Sequence, residues 1–190
     1  MTLVLITPPS QLPLTLDEAK AQAVIDYDYD DVFIMACIAA ATGDIDGVNG
    51  WLGRALITQT WELRLDRFPS KIKVPLPPLQ SVTSITYVDL EGATQTLDPN
   101  HYTVLSGREP AEIWPAYGVC WPATRCVPEA VSVRFVAGYG DSPDAIPDLI
   151  KHWLKLRVAT LLEHREEVIT GMIITANPSL MNMLESYRVR

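Results

Sequence analysis

Apolar and polar positions follow two different periods along the chain, and the change of period divides it. Leu16, Ala19, Ala23 and Val24 recur at helical spacing behind Thr15 and Glu18. That pair matches a capping box, in which a hydroxyl and a carboxylate each satisfy an orphan backbone N–H, and it predicts a short helix over 15–25. After the acidic run 26–31 comes a second stripe of Ile34, Ile38, Ala41, Ile45, Val48 and Leu52, with Asp28 or Asp30 as cap and Gly53 as stop. From 56 to 137 the period drops to 2. Ile57, Gln59, Trp61, Leu63 and Leu65 fall on one side, and Thr58, Thr60, Glu62, Arg64 and Asp66 on the other, which is the pattern of a half-buried strand. Further strands are expected at 71–74, 82–89, 93–97, 102–105, 112–114 and 131–137, with turns and prolines between them. A third helix is expected from 147 to 167, its apolar face made by Leu149, Ile150, Trp153, Leu154, Leu156, Leu161 and Leu162, ending at Gly171. The segment 172–190 holds a short amphipathic stretch, Leu180, Met181, Met183, Leu184 and Tyr187, too short to be stable alone in water.

This order of elements predicts an α+β fold. Residues 1–55 and 141–170 form a small helical bundle, 56–140 an inserted antiparallel β-module of sandwich or barrel type, and 171–190 a docking tail. Helices from both ends of the chain must pack together, because each carries a stripe too apolar to leave wet. A chain of 190 residues with 48% hydrophobic and 20% charged residues is an ordinary globular composition, able to bury a core of its own. Nothing approaches 18 consecutive apolar residues, so no membrane span is expected, and Met1 to Ser10, broken by Pro8 and Pro9 with no base before it, lacks the pattern of an export signal. Cys37, Cys120 and Cys126 are an odd number and fit a reducing compartment better than a disulfide framework.

Charge narrows the partners. The net charge is −8, and it is uneven: residues 1–50 hold eight acids and one base, 51–146 ten acids and eight bases, 147–190 five acids and six bases. Tight capture of nucleic acid needs a basic face, which this distribution does not supply.

Candidate chemistry is sparse. Asp26, Asp28, Asp30 and Asp31 begin like a calcium loop, but the position that needs glycine is Asp31 and the position that needs a bidentate glutamate is Cys37. Helix capping and a solvated acidic face explain the run better, and no metal site is assigned. Cys120 and Cys126 miss the spacing of zinc or redox pairs, and His101, His152 and His164 belong to no recognisable catalytic motif. Gly138-Tyr139-Gly140 reads as a strand-to-helix turn rather than a phosphate loop, since Asp141 and Asp144 follow it. Trp114, Tyr117 and Trp121 read as loop packing on the β-module.

Four segments carry a resemblance: Leu14-Thr15-Leu16-Asp17-Glu18-Ala19-Lys20, Gly53-Arg54-Ala55-Leu56-Ile57-Thr58-Gln59-Thr60-Trp61, Pro78-Leu79-Gln80-Ser81-Val82-Thr83-Ser84-Ile85, and Val136-Ala137-Gly138-Tyr139-Gly140. Together they resemble the head-to-tail connector (adaptor) proteins of long-tailed phages, most of all the longer branch found also in prophages and gene transfer agents. The resemblance runs from 12 to 168, and its motifs are structural. It implies a virion component of a particle neck, assembled in the bacterial cytoplasm, without catalytic residues or cofactors. It implies a homo-oligomeric ring of twelve copies between the portal protein and a stopper or tail-completion protein, with DNA passing through the channel without specific binding. By the same resemblance the tail residues Leu180, Met181, Leu184, Tyr187, Arg188 and Arg190 are the portal-docking candidates, the alternative being that they fold back on their own subunit. The competing functional reading is a small metal-dependent hydrolase or ligand-binding domain using the acidic run 26–31 and His101.

Overall fold

The computed structural model describes residues 1–163 and 182–189. Backbone contacts divide the chain into two units, one of residues 1–10 and 58–139, the other of 11–57 with 140–190. The fold is α+β. Among the described residues, the first unit holds eight strands in two antiparallel sheets, and the second holds three α-helices.

In the β unit, five strands stand in the order β1 (Thr2–Thr7), β2 (Gln59–Leu65), β8 (Val131–Ala137), β4 (Leu79–Val88), β5 (Thr94–Thr96). Three more stand in the order β3 (Ile72–Val74), β7 (Ala111–Pro115), β6 (Tyr102–Leu105). Both sheets have free edges, so the β unit is no closed barrel. The period of 2 is visible in β8, where Val131, Val133, Phe135 and Ala137 are buried and Arg134 is exposed. Leu63 and Ile85 flank Val133 on the neighbouring strands, so one row of branched side chains runs across the sheet. Each such side chain contributes about 1.5–3 kcal/mol on burial.

The opening residues differ from the expectation. Met1 to Ser10 belongs to the β unit, because Thr2–Thr7 pairs with β2 in antiparallel register, Leu3 opposite Leu63 and Leu5 opposite Trp61. Thr-Leu-Val-Leu-Ile-Thr is a run of good strand formers without the alternation of β2, and as an edge strand it leaves four of its six residues exposed.

In the helical unit, α1 (Leu16–Ala23) begins with the predicted capping box: the Glu18 N–H donates to Thr15 Oγ1 at 3.2 Å and the Thr15 N–H donates to Glu18 Oε2 at 3.1 Å. α2 (Asp31–Ile45) buries Ile34, Cys37, Ile38, Ala41 and Ile45. It ends eight residues before Gly53. Asp46 leaves the helix in an extended conformation and its carboxylate accepts the Leu56 N–H at 2.7 Å, while Gly47, at φ +77°, turns the chain. Val48, expected on the buried stripe, is therefore exposed, whereas Leu52 returns to the core by a separate route. α3 (Asp148–Glu163) buries Ile150, Trp153, Leu154 and Val158. The expected continuation to 167 and the stop at Gly171 lie outside the described residues. All three helices contact one another. Among the described residues no helix is long and apolar enough to cross a membrane.

Candidate assembly site

The features expected to carry chemistry resolve into structural contacts. Lys20, its side chain 13% exposed, reaches Asp28 at 2.7 Å and Asp31 at 2.5 Å, tying the acidic run to α1. The Lys20 hydrogen bond, and after it the Lys20 charge, lower the Asp28 carboxyl below its usual range. Tyr27 and Tyr29 stack on each other at 4.2 Å. Asp30 occupies the N-cap position of α2, but its side chain makes no capping hydrogen bond. Among the described residues no three His, Cys, Asp or Glu side chains converge as metal ligands. His101, exposed in a 3-10 turn at Pro99–His101, belongs to the β unit and the acidic run to the helical unit. His152 is exposed on α3, and His164 lies outside the described residues.

No disulfide joins the three cysteines. Cys37 is buried in α2, and Cys120 and Cys126 are exposed on the proline-rich loop that carries them. The three aromatics of that region do not form one platform. Trp121 stacks on Phe68 at 4.9 Å, Trp114 donates its indole N–H to Glu112 at 3.0 Å, and Tyr117 is fully exposed. Gly138 sits at φ +133° in the turn after β8, its N–H donating to the Pro78 carbonyl at 2.9 Å.

The tail gives the clearest built feature. Residues 184–189 lie on the turn that follows α2. The Val189 N–H donates to the Leu52 carbonyl at 3.0 Å, the Arg54 Nε–H donates to the Tyr187 carbonyl, and the Arg188 guanidinium rests 4.8 Å from the centre of the Trp51 ring. Arg54 is itself only 5% exposed. Gly53, at φ +65°, brings its backbone close beneath the tail, where a Cβ would stand 3.6 Å from Val189 Cβ. Of the expected docking residues, Leu184 is fully buried, Tyr187 half-buried and Arg188 exposed. Leu180, Met181 and Arg190 lie outside the described residues.

No protein-family model and no curated protein matches the sequence. Solved structures do. A chain of the neck of an empty GTA particle computed with C6 symmetry superposes with a TM-score of 0.79 at 21% identity, covering 100% of this chain and 96% of that one. The chain has the fold of a GTA neck component. A chain of the neck of a native GTA particle computed with C12 symmetry gives 0.72 at 22% identity, and one of the virion of a native gene transfer agent (GTA) particle 0.72 at 21%, both with the same coverage. This neck fold therefore spans the helices and both sheets together, not one unit alone.

Two buried acids of the neck fold escaped the reading of the sequence. Glu62 accepts from Arg134 and Arg64, both at 2.8 Å, and these hydrogen bonds lower its carboxyl although burial opposes them. Glu112 accepts from Lys71 at 2.5 Å, from the Trp114 indole and from Arg108, which hold it at about 2. The available signal was the alternation itself: Glu62 and Arg134 stand opposite each other in register on the same face of the sheet. A pairing between strands 72 residues apart is not readable before the strand order is known.

Proposed function

We propose that this chain is a structural neck protein of a phage-like or gene-transfer particle, localised in the neck between head and tail. Copies of it form a ring of twelve that joins the portal protein to the stopper or tail-completion protein and leaves a channel for DNA. The observation that carries this reading is the likeness along the entire chain to chains from particle necks, two of them computed with C6 and C12 symmetry. The chemistry supports it in a second way. Twelve copies at −8 each give −96 per ring, and a wall of that sign lets a duplex slide where a basic wall would hold it. The role needs no turnover and no cofactor. The competing hydrolase reading has no support from the acidic run, where Lys20 occupies Asp28 and Asp31.

Within this reading the portal contact falls to the tail. Tyr187 and Arg188 are accessible for it, and Leu184 seats the segment on its own unit. Deleting the gene tests the function: DNA-filled heads without tails are expected, and normal tailed particles from the deletion strain would refute it.

A further inference from the structure

The β unit keeps two arginines uncommitted. Of the seven lysines and arginines in residues 58–139, Arg64, Lys71, Arg108 and Arg134 are taken by Glu62, Glu112 or Glu129. Arg67 and Arg125 have no acidic partner among the described residues, and both are exposed. They line one recess of about 480 Å³, together with Asp66, Thr124, Val127 and Pro128. Its walls are fixed by backbone contacts: the Arg125 N–H donates to the Val88 carbonyl at 3.0 Å, and the Glu129 N–H donates to Asp66 Oδ1 at 3.0 Å. Gly92, at φ +93°, leaves room for the Arg125 guanidinium, since a Cβ there would overlap Nη1.

The charge of the recess selects its ligand. Two guanidinium groups and the Asp66 carboxylate leave one formal positive charge, which a single carboxylate neutralises and a phosphate dianion would overshoot. The guanidinium fork matches a carboxylate with two parallel N–H···O bonds. A DNA duplex presents a charge about every 1.7 Å and calls for a row of bases, not two in a recess. Val127 and Pro128 add an apolar wall that suits the methylene stem of an acidic side chain. Pockets for free small molecules bury about 70–90% of the ligand. Here Arg67, Arg125, Val127 and Pro128 are all exposed, so the recess opens on the surface. We infer that it receives a glutamate or aspartate side chain of an adjoining protein segment, whose carboxylate Arg67 and Arg125 hold.

Amide NMR of the full chain, titrated with a blocked leucine-glutamate-leucine tripeptide, tests this. Saturable shifts are expected at Arg67, Arg125 and the neighbouring Cys126, with a Kd of about 1 mM or tighter. Combining Arg67→Gln with Arg125→Gln should weaken binding more than about tenfold. Neither arginine makes an ion pair in the chain, so the doubly substituted protein should melt with the wild type. Lys73→Gln removes an exposed base outside the recess and should leave binding unchanged. The glutamine version of the tripeptide should bind more than about tenfold more weakly. Undiminished binding to the doubly substituted chain would overturn the inference, as would equal binding of the glutamine tripeptide or no shift at about 10 mM. Propionate, inorganic phosphate and a short DNA duplex are titrated in parallel. If any of them matched the tripeptide's affinity at these amides, the recess would not be a receptor for a protein segment.

Discussion

Glu18→Gln separates two roles that one carboxylate performs. Glu18 closes the capping box of α1 and also receives Lys151 at 2.7 Å and Lys155 at 3.3 Å from α3. Burial on its own would raise the carboxyl, but the Lys151 hydrogen bond, the Thr15 N–H and the two ammonium charges outweigh it and bring the group from 4.5 to about 2. A carboxyl lowered on folding stabilises the fold above its unfolded value, near 4.5, and loses that contribution as pH falls toward 2. The full interval corresponds to about 3 kcal/mol. The side chain is 26% exposed, and solvent screening reduces the expected contribution to about 1–2 kcal/mol. For a chain of this size that is a melting shift of about 2–8 °C.

Glutamine keeps the capping geometry and removes the charge, whereas alanine removes both. Thermal melts followed by the helical circular dichroism signal should therefore rank wild type above Glu18→Gln above Glu18→Ala at pH 7. Between pH 5 and pH 2 the wild type should fall toward Glu18→Gln, because only the wild type has this proton to take up. If the two curves kept a constant separation through that range, the ion pair with Lys151 would not be the source of the stability.

Two further outcomes follow from other contacts. Glu112→Gln should flatten the acid dependence of the β unit between pH 5 and 2, by the same sign argument, and tryptophan fluorescence reports it because the Trp114 indole donates to that carboxylate. Leu184→Ala should cost about 2–5 kcal/mol and release the tail from the turn after α2, seen as faster cleavage in limited proteolysis, while Arg188→Ala, which removes an exposed cation from the Trp51 ring, should cost under about 1 kcal/mol.

Local signals were legible where one stretch of chain determines the outcome. Thr15 and Glu18 set the start of α1 within a few residues of each other, and the alternation of Val131, Val133, Phe135 and Ala137 is the burial pattern of β8. The misreadings share a different origin. β1 pairs with a strand that begins more than fifty residues later, and nothing within Thr2–Thr7 indicates that partner. The end of α2 was misplaced for a similar reason. The stripe Ile34, Ile38, Ala41, Ile45 continues numerically to Val48 and Leu52, but the backbone leaves the helix at Asp46, whose carboxylate is taken by the Leu56 N–H. The buried carboxylates Glu62 and Glu112 depend on bases brought by other strands or by the loop beside them, so their burial becomes visible only with the sheet order.

α2 carries the argument one step further, because its sequence supports two stripes and periodicity alone selects neither. Ile34, Ile38, Ala41 and Ile45 are buried, whereas Val32, Met35 and Ala39 are apolar too and are exposed. In a monomer that works alone, selection for solubility would be expected to place charge on the second stripe, as α3 does with Asp148, His152 and Glu163 on its exposed positions. The two helices share one unit and one solvent yet differ in this respect. At exposed positions α2 thus presents apolar side chains, Val32 and Met35 among them, where α3 presents Asp148, His152 and Glu163.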